Sequence, residues 1–390
     1  MSSYLACMGT RPEIIKMAPL VQALRERGHD VQVLHTGQHT DIAEGLYDFF
    51  EMPPGARLTL QREVPRLSHL TAELLTQVDA HLAQMAPDVV LVQGDTSSAL
   101  AGALAAFYQD IPVAHVEAGL RTGVHDPFPE EMNRSVIGRL ARWHFPPTAL
   151  ARQNLLREGI ADSQIHEVGN TVIDAAQWAR QRMGRSCLKE LVPPDLLRFL
   201  RLHEHNQLLL VTAHRRENWG RPMQRIAAAV AGLLQLHPQL TVVWPLHPNP
   251  QVRADVHMGL SCLPAAARSR ICLTEALQYP ALITLLESCC FTLTDSGGIQ
   301  EEASALHKPV LILRDSTERQ ELVDAGGALI AGTLAHQIVE LASELLRDPM
   351  LLTSMQLPAS PFGDGHAAQR IADILSRECE PRLTMERLAA

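Results

Sequence analysis

The chain has 390 residues, of which 46% are hydrophobic, 20% are charged and only 4% are aromatic. This length exceeds one typical hydrophobic core and indicates two domains of roughly 150–200 residues each. The formal net charge of −9 argues against a general nucleic-acid or membrane-surface binder, so an anionic ligand would need a local basic pocket.

Cysteine usage and apolar runs bear on cellular location. Seven cysteines lie without CxxC spacing or an even framework, at positions 7, 187, 262, 272, 289, 290 and 379. This pattern is typical of reduced thiols. Residues 1–8 lack a basic n-region, and the longest charge-free apolar stretch, 226–236, is too short to span a bilayer. We therefore expect a soluble cytoplasmic protein without a signal peptide.

The first half of the chain alternates strands with helices. Helices are predicted after Pro12, over 68–85 and over 97–107, and strands at 4–8, 31–34, 89–92 and 113–116. Such alternation indicates a parallel sheet with helices on both faces. Ligands bind such sheets beyond the carboxyl ends of the strands. The polar loops there should therefore share one edge, namely 9–13, 36–39, 93–96 and 117–122.

A second strand–helix series follows. A short strand is expected around 165–168, and the charged stretch 183–206, which contains Pro193-Pro194, is expected to connect two domains. Further strands are predicted at 208–211, 241–244, 271–273, 290–294 and 309–313, and a last helix at 365–375.

The pattern predicts an α/β protein with two doubly wound, Rossmann-like domains and a cleft between them. The predicted domains are residues 1–170, residues 171–365, and a C-terminal helix, 366–390, that packs back on the first domain.

The stretch 295–302 breaks a predicted strand at Gly297-Gly298 and continues as a helix. The first N–H groups of a helix are unpaired and positive in character, so Ser296, Gly297 and Gly298 suit a phosphate. Glu301 and Glu302, one turn further on, can accept a hydrogen bond from a sugar hydroxyl. A tight turn with an acidic helix start explains these residues equally well.

Two basic loops follow other strands of the second domain. His214 lies in the run Thr212-Ala213-His214-Arg215-Arg216, and Arg319 in the run 314–321. Cations at strand ends suit a pyrophosphate, to which His214 can donate a hydrogen bond. A basic surface turn is the plainer interpretation.

In the first domain, Asp95 and Glu117 each follow a predicted strand. Burial of Glu117 at such an edge would raise the pKa of its carboxyl, which suits proton transfer. Plainer interpretations stay open: Asp95 or Thr96 caps a helix, and Glu117 forms an ion pair with Arg121.

Other charged residues belong to the same predicted edge, namely Arg11, Lys16, Glu130 and Arg134. Glu130 and Arg134 are four residues apart on a predicted helix, so a solvated salt bridge explains them too.

Several cofactor motifs are missing from the sequence. No GxGxxG follows the first strand, and there is no GxxxxGK[ST] loop. The run His203-Glu204-His205 matches no zinc motif. We therefore expect neither a nicotinamide cofactor nor a metal.

Together these motifs closely resemble the non-hydrolysing UDP-N-acetylglucosamine 2-epimerases. The resemblance runs in family order through Gly9-Thr10-Arg11-Pro12-Glu13, Gly37-Gln38-His39, Gln93-Gly94-Asp95-Thr96, 115–122, Pro129-Glu130-Glu131-Met132-Asn133-Arg134, Val168-Gly169-Asn170-Thr171, 212–218, 295–302 and 314–321.

The resemblance implies a glycosyltransferase-B fold, a homodimer, and reversible C2 epimerisation of UDP-N-acetylglucosamine to UDP-N-acetylmannosamine without a cofactor. It implies elimination of UDP to a 2-acetamidoglucal, then re-addition. The acid/base candidates are Asp95, Glu117 and Glu130. His214 would lie near the departing phosphate. Phosphates or sugar would be held by Arg11, Lys16, Arg134 and Arg319. Ser296, Gly297 and Gly298 would bind the diphosphate, and Glu302 the ribose. Which carboxylate is base stays open.

The chain departs from the family pattern in two segments. Relatives often continue Gln-His with Arg and then Met, in a segment linked to an allosteric substrate site. Here Gln38-His39 continues as Thr40-Asp41-Ile42-Ala43, so we expect hyperbolic kinetics. The segment 275–282 of the uracil pocket contains Pro280 but lacks the Pro and the later Phe that relatives often carry there, so we expect base recognition through backbone groups.

Other activities remain open. The nearest is a hydrolysing 2-epimerase, which releases UDP and N-acetylmannosamine, or an epimerase for a modified UDP-N-acetyl sugar. A retaining glycosyltransferase of the same fold would not need three carboxylates. A silent nucleotide-sugar sensor is a different class, against which the intact carboxylate set argues.

Overall fold

The structure is a computed structural model that describes residues 1–38, 43–61, 66–125, 127–184 and 192–379. The chain divides into two compact units. Unit 1 comprises Met1–Ala175 and the chain from Phe362 onward, and unit 2 comprises Ala176–Pro361. No helix among the described residues is both long and apolar enough to cross a bilayer.

Unit 1 contains a parallel sheet with the strand order β3-β2-β1-β4-β5-β6 in the described chain. Its strands are β1 (Ser3–Met8), β2 (Asp30–His35), β3 (Ala56–Arg57), β4 (Val89–Gln93), β5 (Val113–Val116) and β6 (Trp143–Phe145). The central strands β1, β4 and β5 are buried along their whole length, as expected for strands covered on both faces.

The helices of unit 1 connect successive strands. They are Arg11–Glu26, Ala43–Phe49, Leu67–Met85, Ser97–Tyr108, Glu130–Leu140, Ala149–Arg157, Thr171–Met183, which continues into unit 2, and Ala367–Glu378. The last of them is capped by Asp174, whose carboxylate accepts hydrogen bonds from the backbone N–H groups of Ala367 and Ala368.

Unit 2 contains a second parallel sheet, ordered β12-β11-β10-β7-β8-β9. Its strands are β7 (Gln207–Thr212), β8 (Leu240–Pro245), β9 (Ile271–Thr274), β10 (Phe291–Thr294), β11 (Val310–Ile312) and β12 (Ala328–Ile330). Its helices are Pro194–Leu202, Arg221–Leu236, Pro250–Gly259, Ala265–Arg268, Tyr279–Ser288, Gly297–Ala305, Gln320–Asp324, Ala335–Arg347 and Pro349–Ser354.

Both sheets have the strand order of a doubly wound nucleotide-binding fold, so the predicted fold class is confirmed. The order reverses between β1 and β4 in unit 1 and between β7 and β10 in unit 2. A ligand crevice of such a sheet lies at this point, beyond the carboxyl ends of the two strands.

Some elements differ from the prediction. The prediction of a strand at 165–168 is wrong, because Ile165 makes only an isolated β-bridge with His144. The stretch 183–206, expected to be a connection, contains the helix Pro194–Leu202, because proline is compatible with the first turn of a helix. The strands β3, β6 and β12 were not predicted; each has three residues or fewer and ends its sheet.

Candidate active site

The β1 and β4 loops of unit 1 are joined by Glu13. Its carboxylate accepts hydrogen bonds from the N–H groups of Gly9 and Thr10 at 2.9 and 2.8 Å, and from the Thr96 hydroxyl at 2.6 Å. Burial raises the pKa of Glu13, and these hydrogen bonds oppose the rise. A Cβ on Gly9 would lie 1.9 Å from the hydroxyl oxygen of Thr36, which follows β2, so only glycine fits where the β1 and β2 loops meet.

Glu117 follows β5 and lies buried among three side-chain donors. Lys16 Nζ lies 2.6 Å from Glu117 Oε1, and Asn170 Nδ2 donates to the same oxygen at 3.1 Å. Gln93 Nε2 donates to Oε2. The structure therefore brings Lys16 and Glu117 together, as an ion pair reinforced by two neutral amides.

Asp95 lies in the β4 loop and pairs with Arg134. Arg134 Nη2 is 2.6 Å from Asp95 Oδ2 and Nη1 is 3.4 Å from Glu131 Oε2. Burial raises the pKa of Asp95 to about 6, aided by the charges of Glu117 and Glu130 and opposed by Arg134. Asp95 is therefore a carboxyl that can exchange a proton near neutral pH.

Glu130 and Arg11 each begin a helix at this edge. Glu130 is the first residue of Glu130–Leu140 and Arg11 of Arg11–Glu26, and both side chains are half-buried. The charge of Glu130 acts on Asp95, which gathers the three acid/base candidates in one electrostatic neighbourhood.

Two of the plainer interpretations are wrong. Arg121 does not pair with Glu117: its guanidinium binds both carboxylate oxygens of Glu158, at 2.6 and 2.8 Å. Among the residues the structure describes, Arg134 pairs with Asp95 and Glu131 and not with Glu130. Thr96 does cap the helix Ser97–Tyr108, accepting from the Ala99 N–H at 3.0 Å.

Asp295 organises the corresponding point of unit 2. Its fully buried carboxylate accepts from the backbone N–H groups of His214 and Arg215, both at 2.9 Å, and from Asn218 Nδ2 at 2.9 Å. The β7 loop is thereby fixed against the end of β10. The His214 side chain stays about half exposed, and its ring stacks on that of His247.

Ser296, Gly297 and Gly298 begin the helix Gly297–Ala305, with Ser296 as its N-cap. A Cβ on Gly297 would lie 3.2 Å from the guanidinium carbon of Arg319, whereas one on Gly298 would meet only the Ser296 hydroxyl, at 3.9 Å. The structure thus brings Arg319 to the Gly-Gly turn and leaves open space over Gly298.

Arg319 is oriented by an acidic residue of the helix Gly297–Ala305. Its Nε donates to Glu301 Oε1 at 2.8 Å, and Glu301 is almost fully buried. Glu302 is also buried in this helix. Glu301 therefore supports the cation.

Other cations of the two basic loops have acidic partners. Arg314 pairs with Glu217 at 2.6 Å and with Glu318 at 2.7 Å, and Arg215 lies 3.5 Å from Glu318. Burial alone would raise the pKa of Glu318, but Arg314 and Arg215 outweigh it and lower the pKa to about 2. These pairs fix the loops to each other.

Sequence reasoning missed residues that support the site, among them Glu13, Gln93 and Asn170, and it assigned Glu301 to a sugar hydroxyl rather than to Arg319. Each lay within a quoted motif, but no spacing signal distinguished it. His39 and residues 40–42, on which the expectation of hyperbolic kinetics depends, lie outside the described residues. In the described ranges, no cluster of three or more His, Cys, Asp or Glu side chains is arranged to hold a metal.

Comparisons with known proteins agree over nearly the whole chain. The model of a family described as UDP-N-acetylglucosamine 2-epimerase matches residues 22–376. A protein of that name from Yersinia pestis is 42% identical over 378 residues, which are 95% of this chain and 97% of the relative.

Solved structures are similar in fold. UDP-GlcNAc 2-epimerase from Neisseria meningitidis, bound to UDP-GlcNAc, has a TM-score of 0.87 and 35% identity, covering 96% of this chain and 100% of that one. The Methanocaldococcus jannaschii enzyme, in complex with UDP-GlcNAc and UDP, has a TM-score of 0.78 and 31% identity, covering 96% and 99%.

Proposed function

The chain belongs to the UDP-N-acetylglucosamine 2-epimerase family, and we propose that it is an isomerase that interconverts UDP-N-acetylglucosamine and UDP-N-acetylmannosamine. The observation that carries the proposal is the set of carboxylates in unit 1, where buried Glu117 is paired with Lys16 and Asp95 has a pKa raised to about 6. Inverting C2 requires one group that removes a proton and another that supplies one.

We propose an elimination and re-addition. A base takes the C2 proton, the electron pair forms the C1–C2 double bond, and the C1–O bond breaks with UDP as the leaving group. UDP then adds back to C1 while an acid protonates the opposite face of C2. Asp95, Glu117 and Glu130 are the proposed acid/base set.

Unit 2 is the proposed holder of UDP. The first N–H groups of the helix Gly297–Ala305 suit the diphosphate, and Arg319 and His214 lie at the same switch point. Arg319 pairs with Glu301, so its planar guanidinium is oriented before the ligand arrives. Departing pyrophosphate gains negative charge, which these donors stabilise.

The remaining sugar and phosphate contacts are proposed for Arg11, Lys16 and Arg134, and the ribose hydroxyls for Glu302. Lys16 and Arg134 each neutralise a candidate catalytic carboxylate, so we propose that both also orient it. Arg11, at the start of its helix, is proposed to contact the substrate directly.

A homodimer in a reducing compartment completes the proposal. The described cysteines are free thiols, which supports the cytoplasm as the compartment. Size-exclusion chromatography with light scattering checks the dimer.

The reaction is tested by proton and phosphorus NMR of the protein with UDP-N-acetylglucosamine. We expect the UDP-manno isomer to accumulate to a constant ratio, and the same ratio when the incubation starts from UDP-N-acetylmannosamine. Stoichiometric UDP with free N-acetylmannosamine would instead establish the hydrolysing activity. Unchanged substrate would refute both.

A further inference from the structure

Asn170 contacts the candidate catalytic carboxylate. Its Nδ2 donates to Glu117 Oε1 at 3.1 Å, and its Oδ1 accepts from the backbone N–H of Val172 at 3.1 Å. Because the Val172 N–H can only donate, Oδ1 must face it, and the NH₂ group must face Glu117. The residue is 2% exposed, so water does not replace either partner.

The backbone of Asn170 is anchored as firmly as its side chain. Its N–H donates at 2.7 Å to the carbonyl of Phe362, the residue at which the chain returns to unit 1. Gly169 lies against Gly363, so that a Cβ on Gly169 would be 3.3 Å from the Gly363 Cα. Both glycines have positive φ angles, of +94° and +133°. Asn170 therefore cannot shift unless this return segment shifts as well.

Among the described residues, Lys16, Gln93 and Asn170 donate to Glu117 and differ in what they contribute. Lys16 supplies the opposite charge from the helix Arg11–Glu26, and Gln93 approaches the other oxygen from the end of β4. Asn170 adds no charge; it shares Oε1 with Lys16 and restricts rotation of the carboxylate. Glu117 itself has φ +63°, a conformation that is costly for a residue with a side chain and persists only where contacts enforce it.

We propose that Asn170 is a positioning residue of the epimerisation. Its amide holds the Glu117 carboxylate in the orientation that proton transfer requires, and its backbone ties that orientation to the return segment 362–364, where the chain re-enters unit 1. The inference rests on the proposed function, because that function assigns proton transfer to Glu117.

The test is Asn170→Asp, which keeps the shape and the acceptor for the Val172 N–H but removes the donor to Glu117. Misplacement of a reacting group costs about 10²-fold in rate, so we expect kcat to fall by about 10²-fold. A second carboxylate beside Glu117 disfavours its ionised form. In the pH–rate profile, the limb that reports ionisation of Glu117 should therefore move to higher pH. Loss of packing alone would not cause this shift.

Asp364→Asn is the matched control. Asp364 belongs to the same return segment, where it pairs with Arg370 at 2.6 Å, but it does not touch Glu117. We expect its turnover and pH profile to match the unaltered protein. UDP affinity, measured by calorimetry, should be unchanged in both variants, because the helix start and the arginine proposed to hold the diphosphate lie in unit 2 and neither is altered.

Asn170→Ser provides a second variant, since serine keeps a short acceptor for the Val172 N–H but cannot reach Glu117. Normal turnover and an unshifted pH profile in either folded variant would overturn the proposal. Failure of both variants to fold would make the residue structural and would also overturn it. An unaltered protein without epimerase activity would instead refute the proposed function itself.

Discussion

Glu117 is constrained in both its backbone and its side chain. Its φ of +63° costs on the order of 1–3 kcal/mol in a residue other than glycine, and its carboxylate accepts from Lys16, Gln93 and Asn170. Strain at a buried charge is typical of functional sites. These contacts indicate that the fold maintains one orientation of this carboxylate.

Replacement of Glu117 by glutamine tests its role at the residue scale. The variant cannot exchange a proton, and general acid–base catalysis contributes about 10²–10⁴-fold, so we expect kcat to fall by that factor. UDP affinity should persist, because the helix start and Arg319, which we propose hold the diphosphate, belong to unit 2 and are unaltered. Turnover assays and calorimetry measure the two quantities.

The matched control is Glu158→Gln. Glu158 is the acidic partner in a different ion pair of unit 1, which it forms with Arg121 at 2.6 Å. Turnover should stay close to normal in this variant. If Glu117→Gln retained comparable turnover, Glu117 would not belong to the acid/base set.

Single residues of the site were predictable where they directly follow an apolar strand. Glu117 follows an apolar strand, and Asp95 follows another, so both could be identified by position. Their partners could not: Asn170 lies 53 positions from Glu117, and Arg134 binds Asp95 rather than Glu130. Such pairings depend on how strands and loops meet in three dimensions, which spacing along the chain does not encode.

At the scale of elements, the buried central strands were predictable, whereas the short strands at the sides of each sheet were not. The strands β1, β4, β7 and β10 are apolar runs at the centres of their sheets, so composition alone marks them. The strand β3 has two residues and carries no such signal. The functional loops follow the central strands, and their location was therefore predictable even though the edges were missed.

The substitution Gly298→Ala tests whether the start of the helix Gly297–Ala305 binds the phosphates. The added methyl would meet only the Ser296 hydroxyl, at 3.9 Å, so the fold should tolerate it. It would occupy the space over the N–H groups where we propose the phosphates bind. We expect UDP affinity to fall about tenfold, which corresponds to about 1.4 kcal/mol.

Gly232→Ala is the control for Gly298→Ala. Gly232 lies in the helix Arg221–Leu236, and its added Cβ would make an ordinary contact with Val339 at 3.4 Å. Calorimetry should give normal UDP affinity for this variant. Equal affinities for both variants would contradict a phosphate site at Gly298.

At the scale of the whole molecule, one topology is used twice with different chemistry. Each sheet reverses its order once, and each reversal carries polar loops. The loops of unit 1 present carboxylates paired with cations, whereas those of unit 2 present a helix start and an oriented arginine. The first set suits proton transfer and the second suits a leaving diphosphate.

If the carboxylates of unit 1 remove and return the C2 proton, that proton should exchange with solvent. Deuterium from the solvent then reports the exchange. The protein is incubated with UDP-N-acetylglucosamine in D₂O and the products are followed by NMR. We predict deuterium at C2 together with formation of the manno isomer. Formation of the manno isomer without deuterium at C2, or binding of substrate with no exchange at that carbon, would contradict the mechanism.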